Sequence, residues 1–187
     1  MTKQSTPLYI LRLAITLLLI TGLVAAVLAG VNAITKNRIA AIKAEKIQNA
    51  MAEVLPGATG MTQTAFADTT GIVKTVYVAE ADSPVQGYVA EVAPAGFGGS
   101  ITLMVGVQEG KVSGISIVSH TETAGLGSVA ADKTSKGEEF RSQFADLSGS
   151  LAVDKDGGTI DSITSATITS RAVTAGVNAA LAVTLAK

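Results

Sequence analysis

The chain of 187 residues has no cysteine, no tryptophan, one histidine and a formal net charge of −1. Without cysteine it can form no disulfide, and it cannot use its own thiolates for catalysis or to ligate zinc or an iron–sulfur cluster. The lone histidine, His120, disfavours a conventional metal site, and the near-neutral charge provides no electrostatic footprint for nucleic acid. We therefore predict no metal site and no nucleic-acid partner.

Residues 13–35 form a long apolar segment without a charged side chain. At about 1.5 Å per residue, a helix of this length spans the roughly 30 Å hydrocarbon core of a bilayer. A cleaved signal peptide is the alternative, with residues 31–33 as a cleavage site, but its apolar region would be only about 7–15 residues long. We predict an uncleaved transmembrane helix at 13–35 that follows a short cytoplasmic tail at 1–12.

Basic residues flank this segment on both sides and are more numerous after it: Lys3, Arg12, Lys36, Arg38, Lys43 and Lys46. By the positive-inside rule, this bias favours a cytoplasmic location for the C-terminal domain.

The remaining chain is long enough for one domain with its own core. Apolar residues at helical spacing predict that a helical stalk continues over 36–57 and ends at Pro56-Gly57. Residues 59–71, rich in threonine, alanine and glycine, are interpreted as a loop.

Four later segments have β-type patterns: Ile72–Ala79, Gly87–Val92, Ile101–Val107 and Val112–Ser119. Glu109-Gly110 between the last two is a hairpin signal. We predict an antiparallel sheet with valine, isoleucine and methionine on its covered face.

Two helices are predicted after these strands, which makes the fold class α+β. The first is short and covers Gly137–Phe144. The second packs against the sheet through a C-terminal apolar stripe: Val173, Val177, Ala180, Leu181 and Leu185.

Three segments are candidates for binding. Residues 94–100 form a glycine-rich turn that could let a ligand approach the backbone. Residues 120–127, His-Thr-Glu-Thr-Ala-Gly-Leu-Gly, carry polar side chains away from a strand end. Residues 161–170, Asp-Ser-Ile-Thr-Ser-Ala-Thr-Ile-Thr-Ser, lead into a helix start that suits a phosphate, although they could equally be a well-capped helix terminus. No paired carboxylates or nucleophile–base arrangement supports hydrolysis, so no catalytic residue is predicted.

Together these segments resemble the FMN-carrying G subunit of the Rnf electron-transport complex, whose cousin is the C subunit of the sodium-pumping quinone reductase. The resemblance covers essentially the whole chain. It includes Gly-Tyr-Val-Ala-Glu-Val…Gly-Phe-Gly-Gly at 87–99 and the motif from His120 to Gly127. The flavinylation motif Asp-x-x-Ser/Thr-Gly-Ala-Thr is matched by Asp161, Thr164, Ala166 and Thr167.

The resemblance implies an FMN-binding domain at 58–187, outside the cytoplasm, on a protein that crosses the plasma (inner) membrane once. It implies that Thr167 carries FMN through a phosphodiester bond, which a flavin transferase installs from FAD with Mg²⁺. The other cofactor-binding residues implied are Asp161, Thr164, Ser165, Ala166, Thr169, Ser170, His120, Glu122, Thr123, Leu126 and Gly127. Thr123, Leu126 and Gly127 are expected to line the ring, and the hydroxyls of Thr169 and Ser170 are expected to lie near the phosphate.

The resemblance further implies an electron carrier that is not an enzyme by itself. Its partners would be the other membrane, flavin and iron–sulfur subunits of a complex that couples ferredoxin:NAD electron transfer to Na⁺ or H⁺ movement. For orientation, we follow the family location over the charge bias.

Two residues depart from the family pattern. Ala124 replaces a proline, and Ser165 replaces a glycine beside the acceptor, where a β-carbon restricts the backbone.

Three alternatives remain open. The chain could be the flavin subunit of a quinone reductase, a pilin-like structural protein, or an anchored module that binds FMN or another phosphate ligand without a covalent bond.

Overall fold

The structure, a computed structural model, describes residues 6–185. It contains three α-helices, α1 (Thr6–Val54), α2 (Ser135–Ser142) and α3 (Thr167–Leu181). Its strands are β1 (Thr62–Thr64), β2 (Phe66–Ala67), β3 (Val73–Val78), β4 (Tyr88–Val92), β5 (Thr102–Gln108), β6 (Lys111–Ser119) and β7 (Thr184–Leu185). The fold is α+β, as predicted.

The chain divides into two compact units, one up to residue 45 and one from residue 46 onward. The described part of the first unit is helix, long and apolar enough to cross a membrane by length and composition. Its large apolar side chains, such as Leu17, Leu18 and Leu23, are exposed, which suits a helix surrounded by lipid. The predicted domain boundaries at 12, 35 and 57 stay predictions.

The second unit is built on an antiparallel sheet in the order β1-β3-β4-β5-β6. The hairpin at Glu109-Gly110 is confirmed, and both residues have positive φ, at 53° and 75°. This pair of angles is that of the type I′ turn, which matches the twist of the flanking strands.

Both faces of this sheet are covered. Val92, Leu103 and Val105 belong to the core that includes α3, whereas Val89 and Met104 pack with Val54 and Leu55 at the end of α1. The central residues of β5 are consequently all buried. The expectation of one covered face was therefore incomplete, because the last turns of α1 cover the other face.

Two further expectations were wrong. The segment 59–71 is not only a loop, since it contains β1, which pairs with β3, and β2, which pairs with β7. Leu185 lies in β7 and not in the C-terminal helix, which ends at Leu181. Leu185 continues the helical spacing, but its pairing with Phe66 holds it in an extended conformation.

Candidate functional site

A cleft of about 360 Å³ lies where the three candidate segments meet. This volume falls within the range typical of small-molecule sites. One wall comes from the glycine-rich turn, one from the segment after β6 and one from the start of α3. The residues lining it are Phe97, Glu122, Thr123, Leu126, Gly127, Ser165, Ala166, Thr167, Ile168 and Thr169. The fold thus brings together the distant positions 97 and 167.

The cleft is rimmed by exposed apolar side chains. Within residues 46–185, three large apolar side chains are exposed: Phe97 at 69 %, Ile168 at 49 % and Leu126 at 43 %. All three line this cleft. Exposed apolar residues that cluster in this way mark a surface that is covered by a ligand or a partner. Neither Phe97 nor Ile168 was among the predicted site residues, although Phe97 stood in a turn already considered for binding.

The helix start at the cleft is suited to an anion. Helix α3 begins at Thr167, and its N-cap, Ala166, supplies no capping side chain. The first backbone bond of the helix runs from the Ser170 N–H to the Ala166 carbonyl at 3.0 Å. The N–H groups of the first turn precede this bond, and such groups, together with the helix dipole, favour a negatively charged ligand.

Thr167 lies at this helix start and lines the cleft in a half-buried position. Ser165, two residues earlier, adopts the left-handed conformation with φ of 63°. Glycine adopts this conformation without the steric cost that a β-carbon brings. The geometry therefore gives a physical reason for the glycine in the family motif, and Ser165 places strain beside Thr167.

Two predicted site residues have their hydroxyls engaged within the protein. The buried Ser170 hydroxyl accepts a bond from the Ile163 N–H at 3.0 Å and donates to the Ala166 carbonyl at 3.1 Å. The buried Thr169 hydroxyl donates to Glu122 at 2.5 Å. Both hydroxyls thus support the turn and helix start in this structure.

His120 does not line the cleft, although it lies close to Glu122, Gly127 and Thr169, which do. Its Nδ1 accepts a hydrogen bond from the Glu122 N–H at 3.3 Å. This contact shapes the backbone at the end of β6.

Asp161 and Thr164 line a separate cavity of about 400 Å³, together with Lys136 and Glu139. The Asp161 backbone is held by Gln143, whose side chain accepts the Asp161 N–H at 2.7 Å and donates to its carbonyl at 3.3 Å. The exposed side chain of Asp161 is therefore placed on a fixed backbone, but away from the residues of the apolar cleft.

Ion pairs and hydrogen bonds brace the start of α3. Asp156 and Arg171 form a two-pronged ion pair at 2.6 and 2.7 Å, and the Arg171 hydrogen bond lowers the pKa of Asp156. Asp154 accepts the Ser162 N–H at 3.1 Å. Hydrogen bonds from Ser162 and Lys155 lower the pKa of Asp154 well below its usual range.

In the described part of the chain, no group of three or more His, Asp or Glu side chains is arranged to hold a metal ion.

Comparison with known proteins agrees with this geometry. Residues 96–182 match the FMN-binding domain family, and this range contains every residue of the cleft. The second unit thus contains an FMN-binding domain, matched over residues 96–182.

Relatives extend the comparison to more than nine-tenths of the chain. The G subunit of an ion-translocating oxidoreductase complex from Methanosarcina acetivorans is 31% identical over 179 residues, which cover 92% of this chain and 93% of that protein. The G subunit of the Na⁺-translocating ferredoxin:NAD⁺ oxidoreductase complex from Acetobacterium woodii is 29% identical over 188 residues, covering 93% and 91%. The G subunit of the proton-translocating ferredoxin:NAD⁺ oxidoreductase complex from Clostridium ljungdahlii is 43% identical over 110 residues, covering 56% and 57%. The chain belongs to the family of G subunits of Rnf-type ion-translocating oxidoreductase complexes.

Proposed function

We propose that this protein is the membrane-anchored electron-transfer subunit of an Rnf-type complex and carries FMN covalently on Thr167. The complex would couple electron transfer between ferredoxin and NAD to the movement of Na⁺ or H⁺, as the names of the relatives indicate. The observation that carries the proposal is the position of Thr167, which joins an anion-binding helix start to a cleft with an apolar rim.

The residues of the cleft fit both the flavin ring and the phosphate of FMN. Phe97, Leu126 and Ile168 offer apolar surface for the flavin ring. The first turn of α3 offers N–H groups and a positive dipole end for the phosphate. Thr167 belongs to both regions, since it begins α3 and lines the cleft, so one residue can hold the phosphate while the ring stays in the cleft.

Attachment would transfer the FMN part of FAD to the Thr167 hydroxyl, with AMP as the leaving group. A flavin transferase, which uses Mg²⁺, would perform this step. Asp161 and Thr164 lie on a surface next to the acceptor turn that such an enzyme could contact.

The bound FMN would supply the redox chemistry, and this chain would hold it and keep it near its partners. The cleft residues include no histidine and a single carboxyl group, Glu122, which is hydrogen-bonded within the protein. This set supports an electron carrier rather than an independent catalyst. A covalent tether prevents loss of the flavin, and the membrane helix raises its effective concentration at the other subunits.

We propose a single membrane crossing at 13–35, with the stalk at 36–57 and the FMN domain at 58–187 outside the cytoplasm. This orientation opposes the excess of basic residues after the crossing, and the family location supports it. A membrane-impermeant reagent applied to intact cells should label lysines such as Lys74 and Lys111. Labelling of these lysines only after cell lysis would show that the domain is cytoplasmic.

The covalent bond can be tested by denaturing electrophoresis under ultraviolet light, because a noncovalent flavin is lost under these conditions. The wild-type chain, co-expressed with its transferase, should give a fluorescent band, and Thr167→Ala should abolish it. Thr159→Ala, at an exposed threonine that lines neither cavity, is the matched control and should keep the band. Fluorescence that persists in Thr167→Ala would move the attachment to another residue, and a dark wild-type band would favour a noncovalent module.

A further inference from the structure

We propose that Glu122 is a positioning residue that holds the two walls of the cleft at a fixed separation. This inference rests on the proposed function in so far as the walls enclose a flavin. It assigns to Glu122 a role within the protein rather than a contact with the ring or phosphate.

The Glu122 side chain connects two distant segments. One carboxylate oxygen accepts the Gly98 N–H at 2.9 Å, and the other accepts the Thr169 hydroxyl at 2.5 Å. Gly98 follows Phe97 in one wall, and Thr169 lies in the first turn of α3, two residues after Thr167. A single carboxylate thus ties the Phe97 wall to the helix that presents the acceptor hydroxyl.

The surroundings of Glu122 are built to accommodate this carboxylate. A β-carbon at Gly127 would lie 2.5 Å from the Thr169 hydroxyl oxygen and would also collide with a Glu122 oxygen. A β-carbon at Gly96 would collide with the other Glu122 oxygen. Two glycines therefore leave space for one side chain, which is only 9 % exposed.

A neighbouring contact strengthens the same connection. The Thr121 hydroxyl donates to the Gly98 carbonyl at 2.8 Å, so residues 121 and 122 bind both backbone groups of Gly98. A buried hydrogen bond to a charged acceptor is stronger than one between neutral groups, and leaving such partners unsatisfied is costly. The position of the Phe97 wall is therefore set chiefly from the segment that follows β6.

The first test is amide hydrogen exchange at Gly98 in the detergent-solubilised full chain, prepared without the transferase. Glu122→Ala should speed exchange at Gly98 by about tenfold, because the acceptor is lost. Glu122→Gln keeps an oxygen that accepts the Gly98 N–H and adds an amide N–H that can donate to the Thr169 hydroxyl oxygen, so Gly98 protection should stay close to that of the wild type. The Gly96 N–H, bonded to the Gly99 carbonyl at 2.8 Å, reports on whether the whole turn has opened.

The second test keeps Glu122 and removes its other partner. Thr169→Val should speed Gly98 exchange and lower the fraction of chains that acquire FMN from the transferase. Thr174→Val is the matched control, since Thr174 is an equally buried threonine of α3 whose hydroxyl bonds only to the Ser170 carbonyl. Thr174→Val should leave both the Gly98 exchange rate and the fraction of chains that acquire FMN unchanged.

Unchanged Gly98 exchange in folded Glu122→Ala would overturn the proposal, as would identical behaviour of Thr169→Val and Thr174→Val. If Glu122→Ala fails to fold, the proposal is tested by comparing Gly98 exchange and FMN incorporation between Thr169→Val and Thr174→Val. A wild-type chain without covalent FMN would refute the proposed function but not this connection, because the exchange measurement uses unmodified protein.

Discussion

Ser170 accepts the Ile163 N–H at 3.0 Å while its own hydroxyl donates to the Ala166 carbonyl, so one buried side chain closes the turn that leads to Thr167. The Ile163 N–H and the Ala166 carbonyl, which Ser170 binds, flank Thr164 and Ser165 in the sequence. Thr167, the proposed attachment residue, is therefore positioned by a turn that its own helix holds closed.

Ser170→Ala should destabilise the domain by about 1 kcal/mol, because the partly buried Ile163 N–H loses its acceptor. The same change should reduce FMN incorporation by the transferase. Urea unfolding and intact mass measure the two effects. Ser148→Ala, at an exposed serine, is the control and should change neither. Wild-type stability in Ser170→Ala would show that the bond to Ile163 does not hold the turn.

Ser165→Gly should stabilise the domain by about 1 kcal/mol, since glycine adopts positive φ without the strain of a β-carbon. Thermal unfolding measures the change. Ser148→Gly is the control, because Ser148 is not among the residues with positive φ, and it should give no gain. A loss of stability in Ser165→Gly would mean that the Ser165 side chain contributes more than its backbone strain costs.

Phe97→Ala should leave stability within about 0.5 kcal/mol of the wild type, because the side chain is largely exposed. In the flavinylated protein it should make the flavin more accessible to iodide, as measured by fluorescence quenching. Ile42→Ala, at an exposed residue that does not line the cleft, should not alter quenching. Equal quenching in all three proteins would place the ring away from Phe97.

Asp154→Asn should lower the free energy of unfolding of the domain at neutral pH. The difference in this free energy between the variant and the wild type should become smaller as the solution becomes acidic. The pKa of Asp154 is lowered in the folded state, so its ionised form is favoured by folding. Its contribution is fully present above the unfolded-state value of about 3.9 and decreases as pH falls below it. Urea unfolding of both proteins between neutral pH and about pH 3 measures this. If the difference in the free energy of unfolding became larger toward acidic pH, this would contradict a lowered pKa of Asp154 in the folded state.

Local sequence signals predicted the parts of the fold that depend on neighbouring residues. Gly110 indicated its turn because glycine readily adopts positive φ, and the switch from small polar residues to a helical pattern located the start of α3 near Thr167. Thr134 caps α2 at the Gly137 N–H, which explains why that helix begins two residues before its predicted start.

Features that depend on distant partners could not be predicted. The segments β2 and β7 are each too short to show a pattern and form by pairing with each other. The bond between Thr169 and Glu122 joins residues 47 positions apart, so neither side chain alone indicated it. Phe97 is a site residue because folding places it at the cleft, whereas in sequence it was one aromatic residue within a glycine-rich turn.

The most direct measurement is tandem mass spectrometry of the natively expressed protein, digested to peptides that cover residues 161–171. We expect one FMN added as a phosphodiester, with fragment ions that locate it on Thr167 and not on Thr164 or Thr169. An unmodified peptide from cells with an active transferase, or FMN located on another residue, would contradict it.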